Sequence, residues 1–308
     1  MSFLSTMMER FPMRKTEEQK TKFLAWAEQE MKALGYNARV DALGPKNEHR
    51  NLVAGDPASA EVIFTAHYDT PAKMGLPNLM LPRNFPLYIL YILAVVAVLL
   101  IPSFFGMWLG RQIAPNTPLP VVLQMSIYIG LLVLMMRGPA NRHNANDNTS
   151  GVAAVMALMA TLPEDVRSKA AFILFDNEEK GKLGSKAFAK ANLEVSAMKL
   201  VINLDCVGVG DHILVISRKQ ATYLPAYEKF YGMLKARDGK QVYYYPEVGS
   251  ICNSDHKSFQ CGAAIVACKK APVVGFYTSR IHTGRDTIAD EANIAYLAAE
   301  LTDFVRTL

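Results

Sequence analysis

Five short segments gather the residue types that hydrolytic metal sites use: Thr65-Ala-His-Tyr-Asp69, Asn146-Asp-Asn-Thr-Ser-Gly151, Phe175-Asp-Asn-Glu-Glu179, Asn203-Leu-Asp205 and Arg280-Ile-His-Thr283. Neutral imidazole and carboxylate are good zinc ligands, and catalytic zinc sites keep one position open for water. Two imidazoles and three carboxylates can share two ions if one carboxylate bridges them. An acid left over beside such a pair is free to act as a general base, typically worth about 10² to 10⁴ in rate. Each segment alone is weak, because a His-x-Asp at a strand end is more often a local hydrogen bond than a ligand. Their order along the chain makes the set specific.

The elements that would position these residues alternate along the sequence. Phe23, Leu24, Trp26, Ala27, Met31 and Leu34 recur at helical spacing, and Gly35 follows as a stop, which predicts an amphipathic helix over Lys15–Leu34. Short β-rich runs follow at Asn37–Val40, Asn51–Ala54, Glu61–Ala66, Ala171–Phe175, Lys199–Leu204 and His212–Ile216. Helical patterns lie at Gly151–Leu162, Leu183–Ala191, Ala221–Lys235 and Ala292–Leu308. This alternation predicts an α/β fold, a mixed and mostly parallel sheet flanked by helices. Several strands end at the polar segments, where open α/β sheets place their sites.

Between His67 and Asp147 the pattern breaks. Asn84–Gly110 and Gln112–Met136 carry no charged residue and are bounded by Arg83, Arg111 and Arg137. Each exceeds the roughly 20 apolar residues that cross a bilayer core. Because His67 and Asp147 must meet at one site, an even number of spans is required, and the pair predicts an inserted two-helix transmembrane hairpin. The expected organisation is a catalytic domain from 1–83 and 138–308 interrupted by the hairpin at 84–137. Tyr88, Tyr91 and Trp108 suit the interfacial aromatic belts, Pro102 allows a kink, and Gly106 and Gly110 allow close helix approach. Lys73, Arg83, Arg137 and Arg142 flank the hairpin on the domain side against Arg111 alone in the turn, which predicts a domain facing the cytosol from the cytoplasmic membrane. A homo-oligomer formed through the hairpin is a further expectation. About ten residues separate the hairpin from Asp147, and at about 3.6 Å per extended residue the metals stay close to the bilayer.

Composition narrows the partners. The 308 residues carry a net charge of +5 with no run of five like charges, so no nucleic-acid partner is expected, and the excess suits an anionic membrane surface. Met1–Lys20 contains no apolar signal core, consistent with a cytosolic start. Cys206, Cys252, Cys261 and Cys268 show no CxxC spacing and are expected to be reduced core or pocket thiols.

With those segments in view, the sequence resembles the co-catalytic two-zinc aminopeptidase family, whose relatives include glutamate carboxypeptidases and glutaminyl cyclases. The resemblance spans Lys15–Leu308 apart from the hairpin and includes Asp-Asn-x-Ser-Gly, Ser-Asp-His and Ile-His-Thr stretches. It implies two zinc ions, one held by His67 and Asp205 and the other by Glu179 and His282, with Asp147 bridging. It also implies that Glu178 is the general base and that Asp69 orients His67, in keeping with the usual acceptor for a ligating histidine's second N–H. Ile251, Asp255 and His256 are expected at the substrate-binding wall, His256 as a wall or hydrogen-bonding residue. The sequence departs from the family where several members place a tyrosine shortly before Ser-Asp-His, because Ile251 and Cys252 stand there; Tyr243, Tyr244 and Tyr245 are the nearest replacements, although three successive tyrosines are more often loop packing, which is the expectation for them. The implied activity is peptide hydrolysis, first as an aminopeptidase on neutral or apolar N-terminal residues. A carboxypeptidase or dipeptidase using Arg280 and Arg285, a membrane-proximal endopeptidase, and a catalytically silent membrane binding protein are the alternatives.

Overall fold

Short, nearly continuous apolar runs build one sheet with two buried faces. The computed structural model describes residues 2–76 and 78–308. Its strands are β1 (Ala38–Leu43), β2 (His49–Ala54), β3 (Val62–His67), β4 (Ala170–Phe175), β5 (Leu200–Leu204), β6 (His212–Ser217), β7 (Gln241–Pro246), β8 (Gly262–Ala271) and β9 (Gly275–Tyr277). Its helices are α1 (Phe3–Arg10), α2 (Glu17–Ala33), α3 (Phe85–Ile113), α4 (Leu119–Arg137), α5 (Gly151–Thr161), α6 (Leu183–Ala191), α7 (Leu193–Met198), α8 (Pro225–Phe230) and α9 (Glu291–Thr307). The sheet order is β1-β2-β4-β3-β5-β8-β6-β7, with β9 against β8.

Even-numbered residues of β3 (Val62, Phe64, Ala66) join the core under α2, α5 and α9, while Ile63 joins Ile173, Phe175, Phe188 and Phe259 on the opposite face. The expectation of a mostly parallel sheet needs correction. Parallel ladders run through β4-β3-β5-β8 and between β6 and β7, but β1/β2, β2/β4, β6/β8 and β8/β9 are antiparallel. Helical connections precede the parallel strands β4, β5 and β7, the last through α8, whereas β1 and β2 are joined by a short loop, which suits antiparallel pairing.

Two other expectations shift. The helix expected over Ala221–Lys235 reduces to α8, which begins at Pro225 and ends before Tyr231. Tyr243, Tyr244 and Tyr245 lie on β7 rather than in a loop.

α3 starts at Asn84, whose side chain accepts the Leu87 N–H, and it continues through Pro102. Among the described residues it is the one helix long and apolar enough to cross a membrane. The apolar part of α4, Leu119–Met135, is shorter. The two helices pack closely at glycine: a Cβ on Gly106 would sit 2.4 Å from the Ile127 Cδ1 atom, and one on Gly110 would sit 2.6 Å from the Pro120 Cα atom. The face offered by these glycines is therefore used within the pair rather than left for a second copy. Away from that seam Leu90, Leu93, Ile101 and Phe105 are each more than half exposed.

Candidate metal centre

The C-terminal ends of β3, β4 and β5 deliver the acids and one imidazole to a single edge, and two loops complete the cluster. β3 ends at His67, which is buried, and its ring turns Nδ1 toward Asp69, 3.3 Å from the backbone oxygen and 3.5 Å from Oδ1. The Asp69 carboxylate also accepts the backbone N–H groups of Glu178 (3.0 Å) and Glu179 (3.2 Å). One acid thus orients the histidine and holds the turn after β4.

Asp147 lies in the turn Ala145–Ser150 ahead of α5, followed by a cis peptide bond to Asn148. Asn148 ties this turn to the end of β5, donating to the Leu204 carbonyl (3.0 Å) and accepting from the backbone of Gly151 and Cys206. A Cβ on Gly151 would sit 2.3 Å from the Leu204 oxygen, so the contact demands glycine. Asp205 follows β5 and accepts from the Ser254 hydroxyl at 2.5 Å. His282 sits in a loop at φ +60.

These loops place Asp147 between the two imidazoles. His67 Nε2 is 3.3 Å from Asp147 Oδ1 and 3.7 Å from Asp205 Oδ1, while His282 Nε2 is 2.9 Å from Asp147 Oδ2 and 3.4 Å from Glu179 Oε2. His67, Asp147 and Asp205 offer ligand atoms that all lie within 4.8 Å of one another, and so do Asp147, Glu179 and His282. Glu179 Oε1 and Asp205 Oδ1 are buried without a hydrogen-bond partner. Clustered carboxylate oxygens lacking donors, with two imidazole nitrogens, fit the nitrogen and oxygen chemistry of zinc.

The electrostatics agree. Burial opposes charge on His282, yet Glu179 and Asp147 push its pKa up to about 9; Asp147, Asp205 and Asp69 likewise outweigh burial and raise His67 well above its ordinary value. Asp147 is held below the usual carboxylate range because His282 and His67 outweigh its burial. Burial, with the neighbouring acids, pushes Glu179 up to about 8 and raises Glu178 well above its normal value.

A cavity of about 320 Å³ opens on these groups. Ile251 lines it, but Asp255 and His256 do not: both are fully buried, and neither their carboxylate oxygens nor their ring nitrogens have a hydrogen-bond partner. His256 sits in the short turn Asp255–Ser258, where it is buried away from the cavity's lining. Tyr243 and Tyr245 flank Phe276, and Tyr244 donates no contact to the cleft, packing instead on Phe230 and Tyr231. The tyrosine that does line the cavity is Tyr88, on α3. Arg280 lines a separate and larger cavity of about 490 Å³, which holds none of the five candidate ligands.

Several supporting residues carried no sequence signal. Arg14 is fully buried and donates to the Tyr68 carbonyl, Asn144 Oδ1 and Thr149 Oγ1, so it joins the segment carrying His67 to the one carrying Asp147. Asp286 accepts the backbone N–H groups of Asn146 (2.9 Å) and Asp147 (3.0 Å). Lys20 forms a buried ion pair with Asp176 at 2.6 Å, next to the Glu178 turn. Isolated charges in a helix or loop read as surface; only the fold shows that they point inward.

Residues 132–302 match the family described as Peptidase family M28. Solved structures of the same fold include a Zn-dependent exopeptidase from Parabacteroides distasonis, 16% identical over 98% of this chain and 95% of that one, with a TM-score of 0.62. The glutaminyl cyclase of Porphyromonas gingivalis is 14% identical over 99% of this chain and 96% of its own, with a TM-score of 0.59. The LapA aminopeptidase of Legionella pneumophila is 15% identical over 98% of this chain and 69% of its own, with a TM-score of 0.58. At these identities the likeness is one of fold. No curated protein matches the chain significantly.

Proposed function

The chain belongs to peptidase family M28 and is a zinc-dependent metallopeptidase, and on that premise we propose that it is a membrane-anchored aminopeptidase with a two-metal site. The observation that carries the reading is Asp147 presenting one oxygen to His67 and the other to His282. In this reading His67 and Asp205 would hold one zinc, His282 and Glu179 would hold the second, and Asp147 would serve both. Zinc polarises a scissile carbonyl and raises the acidity of water. Glu178 takes a proton from the attacking water and returns it to the departing amine. Its place beside Glu179, on the turn that Asp69 holds, puts it next to the candidate ligands. Asp69 fixes the ring of His67 and the position of Glu178 together.

Cavity walls support the substrate class. Leu79, Met80, Tyr88 and Ile281 present apolar surface beside the acids, which suits a neutral or apolar side chain next to the scissile bond. The single lysine or arginine among the described lining residues is Lys182, whose amine is 2.8 Å from Asn253 Oδ1. A carboxypeptidase needs a cationic clamp for the substrate carboxylate; Arg280 lies at the larger, separate cavity, and Lys15, Lys20 and Lys180 line the adjoining one with Glu179 and His282.

Residues 84–137 form the membrane anchor in this reading, α3 and α4 crossing as a pair with the catalytic domain on the cytosolic side. The exposed apolar faces of both helices support it, because water would be in contact with far more apolar surface than soluble monomers leave uncovered. Purified protein incubated with peptides bearing free or acetylated amino termini tests the activity. Stepwise loss from free amino termini only, reduced at least about 10²-fold by Glu178→Gln, is the expected result; trimming of acetylated peptides from the other end overturns the aminopeptidase reading.

A further inference from the structure

The turn between β8 and β9 is apolar and points away from the protein. Ala271-Pro272-Val273-Val274-Gly275 contains no polar side chain, and Val273 is 96% exposed at φ +68, the most exposed of the large hydrophobic residues described. The turn is tied to the beginning of α3: the Asn84 side chain donates to the carbonyls of both Val273 and Val274 at 3.0 Å while capping that helix. The lead-in to α3 is also bonded to the strand beyond the turn, since Met80 and Thr278 exchange backbone hydrogen bonds of 2.8 and 3.0 Å. The tip is therefore held level with the first turn of α3, where Phe85 is itself 63% exposed. Two lysines stand at the base of the hairpin, and Lys270 is held over Phe276 at 4.9 Å.

An apolar tip above a pair of lysines matches the layering of a phospholipid surface, with acyl chains beneath phosphates. We infer that the β8–β9 turn is a membrane contact additional to the helices, with Val273 and Val274 entering the headgroup–acyl boundary of a phospholipid bilayer and Lys269 and Lys270 at the phosphates. The inference rests on the reading of α3 as a membrane span. Its consequence is rotational: a helical pair alone lets the domain swivel, whereas a third contact fixes the tilt. The lead-in that is bonded to this hairpin also supplies Leu79 and Met80 to the wall of the metal cavity, so the cavity mouth is held at a set height above the bilayer.

The test uses the full chain in phosphatidylcholine–phosphatidylglycerol vesicles, with an environment-sensitive fluorophore on Val273→Cys, Leu93→Cys in α3, or the exposed Tyr223→Cys in the turn after β6, which lies beside the start of β8 and not its end. The four native cysteines are buried, so labelling reports the introduced site. Nitroxide placed high on the lipid acyl chain should quench the Val273 probe about twofold or more beyond the Tyr223 probe. A Val273 probe quenched no more than Tyr223, while Leu93 is strongly quenched, overturns the inference and leaves the anchor intact. If the Leu93 probe is also unquenched, the membrane reading itself fails and the inference goes with it.

Discussion

Replacing Asp69 by asparagine should weaken both metal retention and turnover without unfolding the protein. Asp69 is buried and serves three groups at once, the Nδ1 side of His67 and the backbone N–H groups of Glu178 and Glu179. Burial opposes its charge, but His67 outweighs that and lowers its pKa, so it stands as a carboxylate. Asparagine keeps the shape and one acceptor. Its amino group faces either a backbone N–H or the imidazole as a donor against a donor. Hydrogen bonds to a charged group are worth about 1.5–3 kcal/mol each, and a tenfold rate change corresponds to about 1.4 kcal/mol. Loss of one such bond therefore predicts a fall in kcat/KM of about 10- to 100-fold, and loss of the outer acceptor of His67 predicts a similar fall in zinc affinity. The assay is hydrolysis of an apolar amino-acid anilide by zinc-loaded protein, with chelator competition for affinity and a melting curve as control. Both quantities within about twofold of the parent, at an unchanged Tm, would refute the role assigned to Asp69. A lower Tm with unchanged kcat/KM per folded molecule would place the residue in folding instead of chemistry.

His256 should make the protein acid-labile. Its burial, with Lys257 and Arg218 adding, pushes its pKa down to about 3, below the roughly 6.5 of an unfolded chain, so its contribution to stability is present above pH 6.5 and is lost as the pH falls toward 3. At pH 5 the loss relative to neutral pH is about 2 kcal/mol, and His256→Leu should remove that component of a urea-midpoint profile; an unchanged acid limb would defeat the argument. Lys20→Met should cost about 3–5 kcal/mol by leaving Asp176 buried and unpaired, with recovery in the double variant Lys20→Met/Asp176→Leu, both read by denaturant midpoints. Gly110→Leu should destabilise the α3–α4 pair by about 1–3 kcal/mol in detergent unfolding, because Pro120 occupies the space. Gly130→Leu, with nothing within 4 Å of its Cβ position, is the matched control and should be neutral.

Three of the five polar segments were legible because strand ends and ligand types coincide in them, and apolar runs such as Ala171–Phe175 or Leu200–Leu204 leave few alternatives to buried strands; the segments of Asp147 and His282 lie in loops and were legible from their residue types and order. β8 escaped notice because Gly262-Ala-Ala-Ile-Val-Ala-Cys is rich in small residues with low strand preference, and it is a strand only because β5 and β6 flank it. The tyrosines of β7 failed as a loop for the converse reason: aromatic residues at alternate positions fit a pleated surface, and Tyr243 and Tyr245 stack on one face. Pro225 and Gly232 mark where the longer helix expected over Ala221–Lys235 cannot form, since proline fits only a helix start and Gly232 lies at φ +80. Arg14, Lys20 and Asp286 were unreadable in principle, because each acts on backbone or side chains more than 50 residues away.

An insertion of two apolar helices between the first and second metal-site segments should disturb the geometry that those segments need, and the structure shows why it does not. The outgoing and returning strands are fastened to each other before they leave the catalytic unit: Ala72 and Ala140 form a bridge, Lys73 donates to the Pro139 carbonyl at 2.9 Å, and Asn141 donates to the Pro71 carbonyl at 2.9 Å. Inward of that stem, Arg14 links the Tyr68 carbonyl to Asn144 and Thr149, and the Asn141 side chain reaches the Thr283 carbonyl beside His282. Motion of the helices about the stem is thus decoupled from His67, Asp147 and His282, which share one hydrogen-bonded frame. On the outward side the helices reach the cavities themselves: Tyr88 of α3 lines the cavity that holds the candidate ligands, and Met135 of α4 lines the adjoining one with Glu179 and His282. The same insertion therefore leaves the chemistry rigid while making access to it depend on where the helices lie.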